Sequence, residues 1–323
     1  MDFDVSVIVP VYNASKYIEE TLKSILNQNF TNFEIIIIND GSTDNSLEII
    51  KKTLKDSKVS NKIINQNNQG VSKARNIGIE NAQGKYVIFV DDDDIIAENH
   101  ISCLYENGKN NDGSFTEMLK ITEKGSIIDN QELYLAIQEK SSISSIDLIK
   151  LELNMEIPFS FCQIMYKNNL IKEKFNENAI YGEDTEFALK NLIHMKYLGI
   201  CDKPTYFYRQ REDSATKKAD FKRFEIVNIF ENLAIYYQKH NHDDLAEIIK
   251  TKRIPKAIFG NLMYFFYNNY DYSQTMDKMD KMNLFDKLKN FKGESKFSFK
   301  IKLFLLNPKL YYKTWKKFKD EIS

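Results

Sequence analysis

The sequence predicts an α/β fold: a Rossmann-like, mixed but mostly parallel sheet flanked by helices, followed by a helical C-terminal extension. Two observations predict it. Short β-branched runs alternate with helically spaced stretches through the first hundred residues, and beyond Lys218 the composition shifts to Lys, Phe and Tyr at helical spacing. Val5-Ser6-Val7-Ile8-Val9-Pro10 is an apolar run stopped by proline, as expected of a strand buried on both faces. Across residues 14–27, Tyr17, Ile18, Leu22, Ile25 and Leu26 mark a helix with Glu19 and Glu20 in its early turns. Glu34-Ile35-Ile36-Ile37-Ile38-Asn39-Asp40 repeats the strand pattern. Gly41-Ser42-Thr43-Asp44 then caps a helix through Leu47, Ile50 and Leu54. Residues 71–82 read as a third helix, closed by Gly84, before Tyr86-Val87-Ile88-Phe89-Val90 runs into Asp91-Asp92-Asp93-Asp94. Between residues 101 and 151 the periodicity is weak and no element is placed. Residues 184–198 are helical again, with Phe187, Ala188, Leu192, Ile193 and Met195 on the apolar side.

The chain has 323 residues, 42% of them hydrophobic, enough for a well-buried core and two structural units. Its 45 Lys+Arg against 46 Asp+Glu, a formal net charge of -1, argue against a protein that coats nucleic acid. Cys103, Cys162 and Cys201 lack metal or redox spacing and read as reduced core residues of a cytosolic protein. Met1-Asp2-Phe3-Asp4 enters a strand at once, so no secretory signal is expected. The most hydrophobic stretch, residues 254–267, is interrupted by Lys256 and Asn261 and reads as a buried helix rather than a membrane span. The expected location is cytoplasmic, with any membrane contact peripheral and at the inner face of the cell membrane.

In open parallel sheets ligands bind at the carboxyl ends of the strands, where Asn13, Asp40 and the aspartate run all fall. Four consecutive carboxylates there repel one another unless a cation or solvent relieves them. Oxygen ligands suit Mg²⁺ or Mn²⁺, which keep waters and are completed by substrate phosphates, so a diphosphate-bearing substrate is expected. Asp40 reads either as an acceptor for a nucleobase N–H or as a cap for the turn that follows it. Gly70, a helix start and Arg75 lie close together, which suits a phosphate or base but also an ordinary surface helix. Pro10-Val11-Tyr12-Asn13-Ala14 lacks the glycine-rich basic loop of a nucleotidyltransferase and the spaced glycines of a dinucleotide oxidoreductase.

Val7-Ile8-Val9-Pro10-Val11-Tyr12-Asn13, Asn39-Asp40-Gly41-Ser42-Thr43-Asp44, Gly70 through Gly78 and Val90-Asp91-Asp92-Asp93-Asp94 resemble, in this order, the donor half of family 2 glycosyltransferases. The resemblance continues in Tyr181-Gly182-Glu183-Asp184 and Tyr206-Phe207-Tyr208-Arg209-Gln210-Arg211-Glu212-Asp213-Ser214-Ala215-Thr216, and covers roughly residues 3–217. It implies a GT-A fold and an inverting transfer from a UDP-sugar to an acceptor hydroxyl, in surface polysaccharide, lipid-linked oligosaccharide or glycoprotein glycan assembly. The implied organisation is a catalytic domain over residues 1–218, with a nucleotide-sugar half to about residue 100 and an acceptor half beyond, then a helical basic region over 219–323. By the same resemblance Asp40 binds uracil with Arg75 beside it. Pro10, Tyr12 and Asn13 line the nucleoside. Asp91 and Asp93 hold the metal, with Asp93 the direct ligand and Asp91 and Asp92 nearer the ribose. Asp184 is the catalytic base, and Arg209 and Arg211 lie near the diphosphate or acceptor. Phe161-Cys162-Gln163-Ile164 stands where many relatives place a tryptophan and a lysine, on the acceptor side. The competing reading is a catalytically inactive homologue serving as a binding or scaffold subunit.

Residues 286–323 hold eleven lysines against four acidic residues, a net of +7, interleaved with Phe291, Phe297, Phe299, Phe304, Trp315 and Phe318. Asn307-Pro308 starts a helix, on which Leu310, Tyr311, Thr314 and Phe318 form one stripe. The stripe reads either as a membrane-surface helix or as one packed on protein with its lysines in water. His240 and His242 read as solvated surface residues.

Overall fold

The computed structural model describes residues 3–128, 137, 140–157, 159–179, 181–211 and 221–322. The predicted alternation is present as β1 (Phe3–Val11), α1 (Ile18–Leu26), β2 (Phe33–Asp40), α2 (Ser46–Leu54), β3 (Ser60–Gln66), α3 (Val71–Asn81) and β4 (Gly84–Phe89). β1 runs parallel between β2 and β4, and β3 extends the parallel set beyond β2. Val7, Ile8, Val9 and Ile35 to Ile38 are wholly buried, because helices cover both faces of such a sheet. α3 lies so close that a Cβ on Gly78 would meet Ile8 Cγ2 at 2.3 Å, which is why that helix position has no side chain. β3 was not expected. Its sequence Ser60-Asn61-Lys62-Ile63-Ile64-Asn65-Gln66 is polar because the strand pairs on one side only, with β2, and most of it is solvated.

The stretch of weak periodicity, and the chain after it, form β5 (Ile95–Ile96), α4 (His100–Gly108), β6 (Gly113–Phe115), β7 (Met118–Ile121), β8 (Ser142–Ser144), α5 (Ser145–Leu153), β9 (Ile164–Lys167), α6 (Glu183–Leu192), β10 (Tyr197–Ile200) and β11 (Tyr206–Arg209). Strands of two to four residues are too short to show a period of two, which is why the sequence alone did not reveal them. The helix expected over 184–198 ends at Leu192, and Tyr197–Ile200 is a strand whose apolar residues fit either period. Two sheets result, an eight-stranded one in the order β3-β2-β1-β4-β9-β6-β10-β8 and a three-stranded one in the order β5-β11-β7. In the larger sheet β9 is antiparallel to β4 and β6, and β8 to β10, so the sheet is mixed but mostly parallel, as expected. The expectation of three reduced cysteines is corrected for two of them. Cys103 on α4 and Cys201 after β10 form a disulfide with Cα atoms 5.9 Å apart, a pairing hidden by a sequence separation of 98. Cys162 is free and buried.

The chain divides into two compact units. One comprises Met1–Leu151, Ile157–Asn178 and Glu183–Ser214, the other Glu152–Glu156, Ala179–Gly182 and Ala215–Ser323. The boundary expected at residues 218 and 219 lies outside the described residues. The second unit is helical: α7 (Ile226–Lys239), α8 (Asp243–Ile248), a π-turn at Ile249–Arg253, α9 (Ile254–Tyr267), α10 (Tyr272–Lys281), α11 (Leu284–Lys289), α12 (Ser295–Leu306) and α13 (Pro308–Ile322). α9 buries Ile258, Phe259, Leu262, Phe265 and Phe266, as expected of an internal helix. Among the described residues no helix is long and apolar enough to cross a membrane.

Inside the first unit His100 is fully buried, its Nδ1 2.8 Å from Thr205 Oγ1, which lies 2.8 Å from Thr116 Oγ1. Burial pushes the His100 pKa down from 6.5 to about 3. The unfolded chain therefore takes up the proton first as the pH falls, and stability is lost from about pH 6.5 down to about pH 3. At about 1.4 kcal/mol per pH unit, wild type is expected to lose roughly 2 kcal/mol more than His100→Gln between pH 7 and 5. Urea unfolding of both proteins at the two pH values checks this, and parallel losses would refute it.

Candidate active site

The site opens where two strands part. β1 pairs with β4 only as far as Ile8 and Phe89, while its pairing with β2 continues to Val11 and Asn39. Pro10, which has no N–H to offer a strand on the β4 side, sits just beyond the split. The aspartate run leaves β4 into that gap, and each of the four carboxylates meets a different element. Asp91 Oδ1 accepts from Arg75 Nη2 of α3 at 2.9 Å, and its Oδ2 lies 3.8 Å from Cys162 Sγ. Asp92 Oδ2 accepts from the backbone N–H of Tyr12, after β1, at 3.0 Å. Asp93 Oδ2 pairs with Arg211 Nε at 2.9 Å. Asp94 accepts from the Tyr206 hydroxyl at 2.7 Å and from the Arg209 backbone N–H at 2.8 Å.

These bonds only partly offset the cost of burial and the repulsion. Burial pushes Asp92 up to about 7, opposed by the Tyr12 N–H and reinforced by Asp93 and Asp91. Burial and then Asp91 push Asp93 up to about 6, with Arg211 opposing. Asp94 is raised well above the ordinary carboxyl value by burial and by the charges of Asp93 and Asp91.

Arg75 joins this run to a second acidic pair. Its guanidinium, 7% exposed, lies 3.6 Å from Glu183 Oε1 through Nη1 and stacks over Phe161 and Phe175 at 4.3 and 5.3 Å. Its Nε and Nη1 are buried and make no hydrogen bond among the described residues. Glu183 and Asp184 open α6, where carboxylates suit the helix dipole. Asp184 Oδ1 accepts from the N–H of Thr185 at 2.6 Å. Burial and then Asp184 push Glu183 up to about 7, with Arg75 opposing. Sequence reading passed over Glu183 as a site residue; the signal available was its place beside Asp184.

Asp40 closes β2 and is 3% exposed. Its Oδ1 accepts from Gln66 Nε2 at 2.6 Å and Gln69 N at 2.8 Å, and its Oδ2 from Gly70 N at 2.8 Å. It therefore orders the loop into α3 rather than capping the Gly41-Ser42 turn that follows it, while a carboxylate with about four lone-pair sites retains room for one further donor. Asn13 has a positive φ of 50°, and its Oδ1 accepts from the Thr43 N–H at 2.8 Å. With the bonds Asn13 N to Ser42 Oγ, Ala14 N to Ser46 Oγ and Ser15 N to Asp44 Oδ2, this laces the β1–α1 loop to the β2–α2 loop. Tyr12 stands 49% exposed beside that wall.

Arg209, expected to lie near the diphosphate or the acceptor, has its side chain turned into the protein. It is 2% exposed and donates through Nε to Asp93 O, through Nη1 to Glu123 O and through Nη2 to Glu20 Oε2, at 2.6 to 2.7 Å. Arg211, with a quarter of its side chain exposed, is the arginine at the crevice. The rest of that motif, residues 212–216, lies outside the described residues.

Among the described residues no three acidic, His or Cys groups form a complete metal cage. Mg²⁺ and Mn²⁺ do not require one, since one or two carboxylates plus substrate phosphates suffice. Asp93 fits such an ion, being a partly buried carboxylate in a surplus of negative charge. Both oxygens of Asp91 are turned to Arg75 and Cys162.

This sheet, with its acidic crevice at the strand ends, defines a GT-A glycosyltransferase fold. Residues 6–167, half of the 323, match the family described as Glycosyl transferase family 2, and the chain belongs to that family. It is 32% identical over 235 residues to the glycosyltransferase GlyA of Streptococcus pneumoniae serotype 4, covering 67% of this chain and 32% of that protein. It is 31% identical over 271 residues to the minor teichoic acid biosynthesis protein GgaB of Bacillus subtilis, covering 79% of this chain and 28% of that one. The chain thus spans about a third of the length of these relatives. Its backbone is similar to residues 1–349 of S. aureus TarS, crystallised with UDP-GlcNAc, with a TM-score of 0.69 and 21% identity over 88% of this chain and 82% of that one. The shared fold is what that likeness shows.

Arg75→Met keeps the contact with Phe161 and Phe175 but leaves Asp91 and Glu183 without their shared cation. Losing one partner of a buried ion pair is expected to cost about 3–5 kcal/mol of stability, with Arg75→Lys intermediate. Chemical denaturation measures it, and a loss below about 1 kcal/mol would mean that Arg75 does not hold the two carboxylates together.

Proposed function

We propose that the chain is an inverting glycosyltransferase that moves a sugar from a UDP-sugar to an acceptor hydroxyl during assembly of a cell-surface glycan or teichoic acid. The observation that carries this reading is Arg75, whose one guanidinium reaches both the aspartate run and the Glu183-Asp184 pair. In this reading the aspartate run is the leaving-group end and the Glu183-Asp184 pair the proton-accepting end of one crevice. The name of the GgaB relative, a minor teichoic acid biosynthesis protein, supports the surface-glycan setting, and the UDP-GlcNAc complex of TarS supports a uridine nucleotide donor.

In this reading Asp40 accepts from the uracil N–H, the laced loops carrying Tyr12 and Asn13 flank the nucleoside, and Asp91 and Asp92 lie toward the ribose. Arg211 faces the diphosphate, while Arg75, buried behind the crevice, holds Asp91 and Glu183 in place. A divalent ion on Asp93, Mn²⁺ or Mg²⁺, supplies positive charge to the departing diphosphate when bound. Asp184 takes the acceptor proton as the hydroxyl oxygen bonds to the anomeric carbon and the bond from that carbon to the UDP oxygen breaks. A single displacement inverts the configuration. Glu183, held by Arg75, positions α6 and its neighbour.

Calorimetry with UDP tests the donor end. Because the carboxylates and the diphosphate are both anionic, affinity is expected to fall about tenfold or more in EDTA or in Asp93→Ala. Undiminished binding in either would remove the metal from the reading. The base is tested by Asp184→Asn, expected to keep donor affinity while lowering kcat by roughly 10² or more. Turnover within about threefold of wild type would take Asp184 out of the mechanism.

A further inference from the structure

The helical unit ends in a pair of helices whose apolar residues are divided between two faces. Ile301 and Phe304 of α12 are buried. Phe304 and, on α13, Tyr311 pack edge-on against Phe259 of α9, and Trp315 tilts against Phe266. These contacts hold the pair down. The stripe anticipated on α13 is therefore split, since Tyr311 turns inward while Leu310 and Phe318 stay 60% and 59% exposed. On α12, Phe299, Leu303 and Leu306 follow at spacings of four and three and also point outward, Leu306 at 84% exposure. The two outward ridges meet at the Asn307-Pro308 turn, where Leu310 N donates to Asn307 Oδ1. They border a cavity of about 360 Å³ lined by Leu303, Leu306, Leu310, Tyr311, Trp315 and Phe318.

Charge identifies what covers this face. Lys309, Lys313 and Lys317 each precede Leu310, Thr314 and Phe318 by one position, so they form a row parallel to the ridge. Lys300, Lys302 and Lys316 are exposed on the same pair of helices. None of these six has an ion-pair partner among the described residues, whereas Lys287, Lys289 and Lys292 nearby are paired with Glu231, Asp286 and Glu247. Apolar ridges flanked by unpaired lysines match the level at which acyl chains give way to anionic headgroups. We propose that α12 and α13 form a docking surface for an anionic lipid membrane, with Phe299, Leu306, Leu310 and Phe318 entering the acyl boundary and the lysine rows on the headgroups. The chain then lies on the membrane without crossing it.

Trp315 is the chain's one tryptophan and lines the cavity, so its emission reports occupancy. The full chain is mixed with phosphatidylcholine vesicles with or without phosphatidylglycerol, and binding is read by co-sedimentation and by Trp315 fluorescence. The expected result is partition onto the anionic vesicles with a blue shift, weakening with salt. Leu306→Asp combined with Leu310→Asp lowers partition by about tenfold or more, and Lys313→Glu with Lys317→Glu by roughly fivefold per residue. All four positions are exposed, and unchanged melting temperatures verify that the variants are folded. Absence of partition onto anionic vesicles, or equal partition by wild type and both variants, overturns the proposal. So does self-association in sedimentation velocity that Leu306→Asp abolishes without any vesicle binding, which assigns the face to a second copy of the chain.

Discussion

Mutual repulsion among Asp91, Asp92, Asp93 and Asp94 at the buried end of β4 is the constraint around which the catalytic unit is arranged. Carboxylates in a medium of low polarity destabilise the fold unless each finds a donor or a cation. Their partners come from α3, from the loop after β1 and from β11 and the residue two beyond it. The three-stranded sheet brings β11 beside β5, which directly follows the run, and so puts Tyr206 and Arg209 within bonding distance of Asp94. Arg209 binds inward to Glu20 and to the backbone of Asp93 and Glu123, fixing the strand that supplies those donors.

The same repulsion divides labour among the carboxylates. Asp94 is sealed beneath, Asp91 is held by Arg75, and the Asp93 carboxylate is left near the crevice beside Arg211. Glu183, forced up to about 7 by burial and then by Asp184, is a further acidic group whose position depends on Arg75. One guanidinium thus sets the geometry of two acidic motifs that the sequence separates by some ninety residues. A lysine has neither the fork nor the planar face to hold two carboxylates while stacking on Phe161 and Phe175.

The sequence by itself determined the strands β1, β2 and β4, the helices between them, the acidic strand ends and the helical character of the C-terminal region. Those features were legible because a strand buried on both faces must be apolar throughout and a helix on its surface must be amphipathic, constraints that act over a few neighbouring residues. Tertiary structure alone decided the rest. The polar edge strand β3 and the strands of two to four residues carry too little pattern to be read, and the Cys103–Cys201 bond joins residues 98 apart. Whether an arginine faces the crevice or the interior was likewise not written in its neighbours. Arg209 and Arg211 are two residues apart on an extended segment, yet Glu20 and Glu123, from distant parts of the chain, hold the first inside the fold while the second reaches Asp93. Burial and charge pairing are properties of what the folded chain places around a residue, and local sequence pattern carries no record of them.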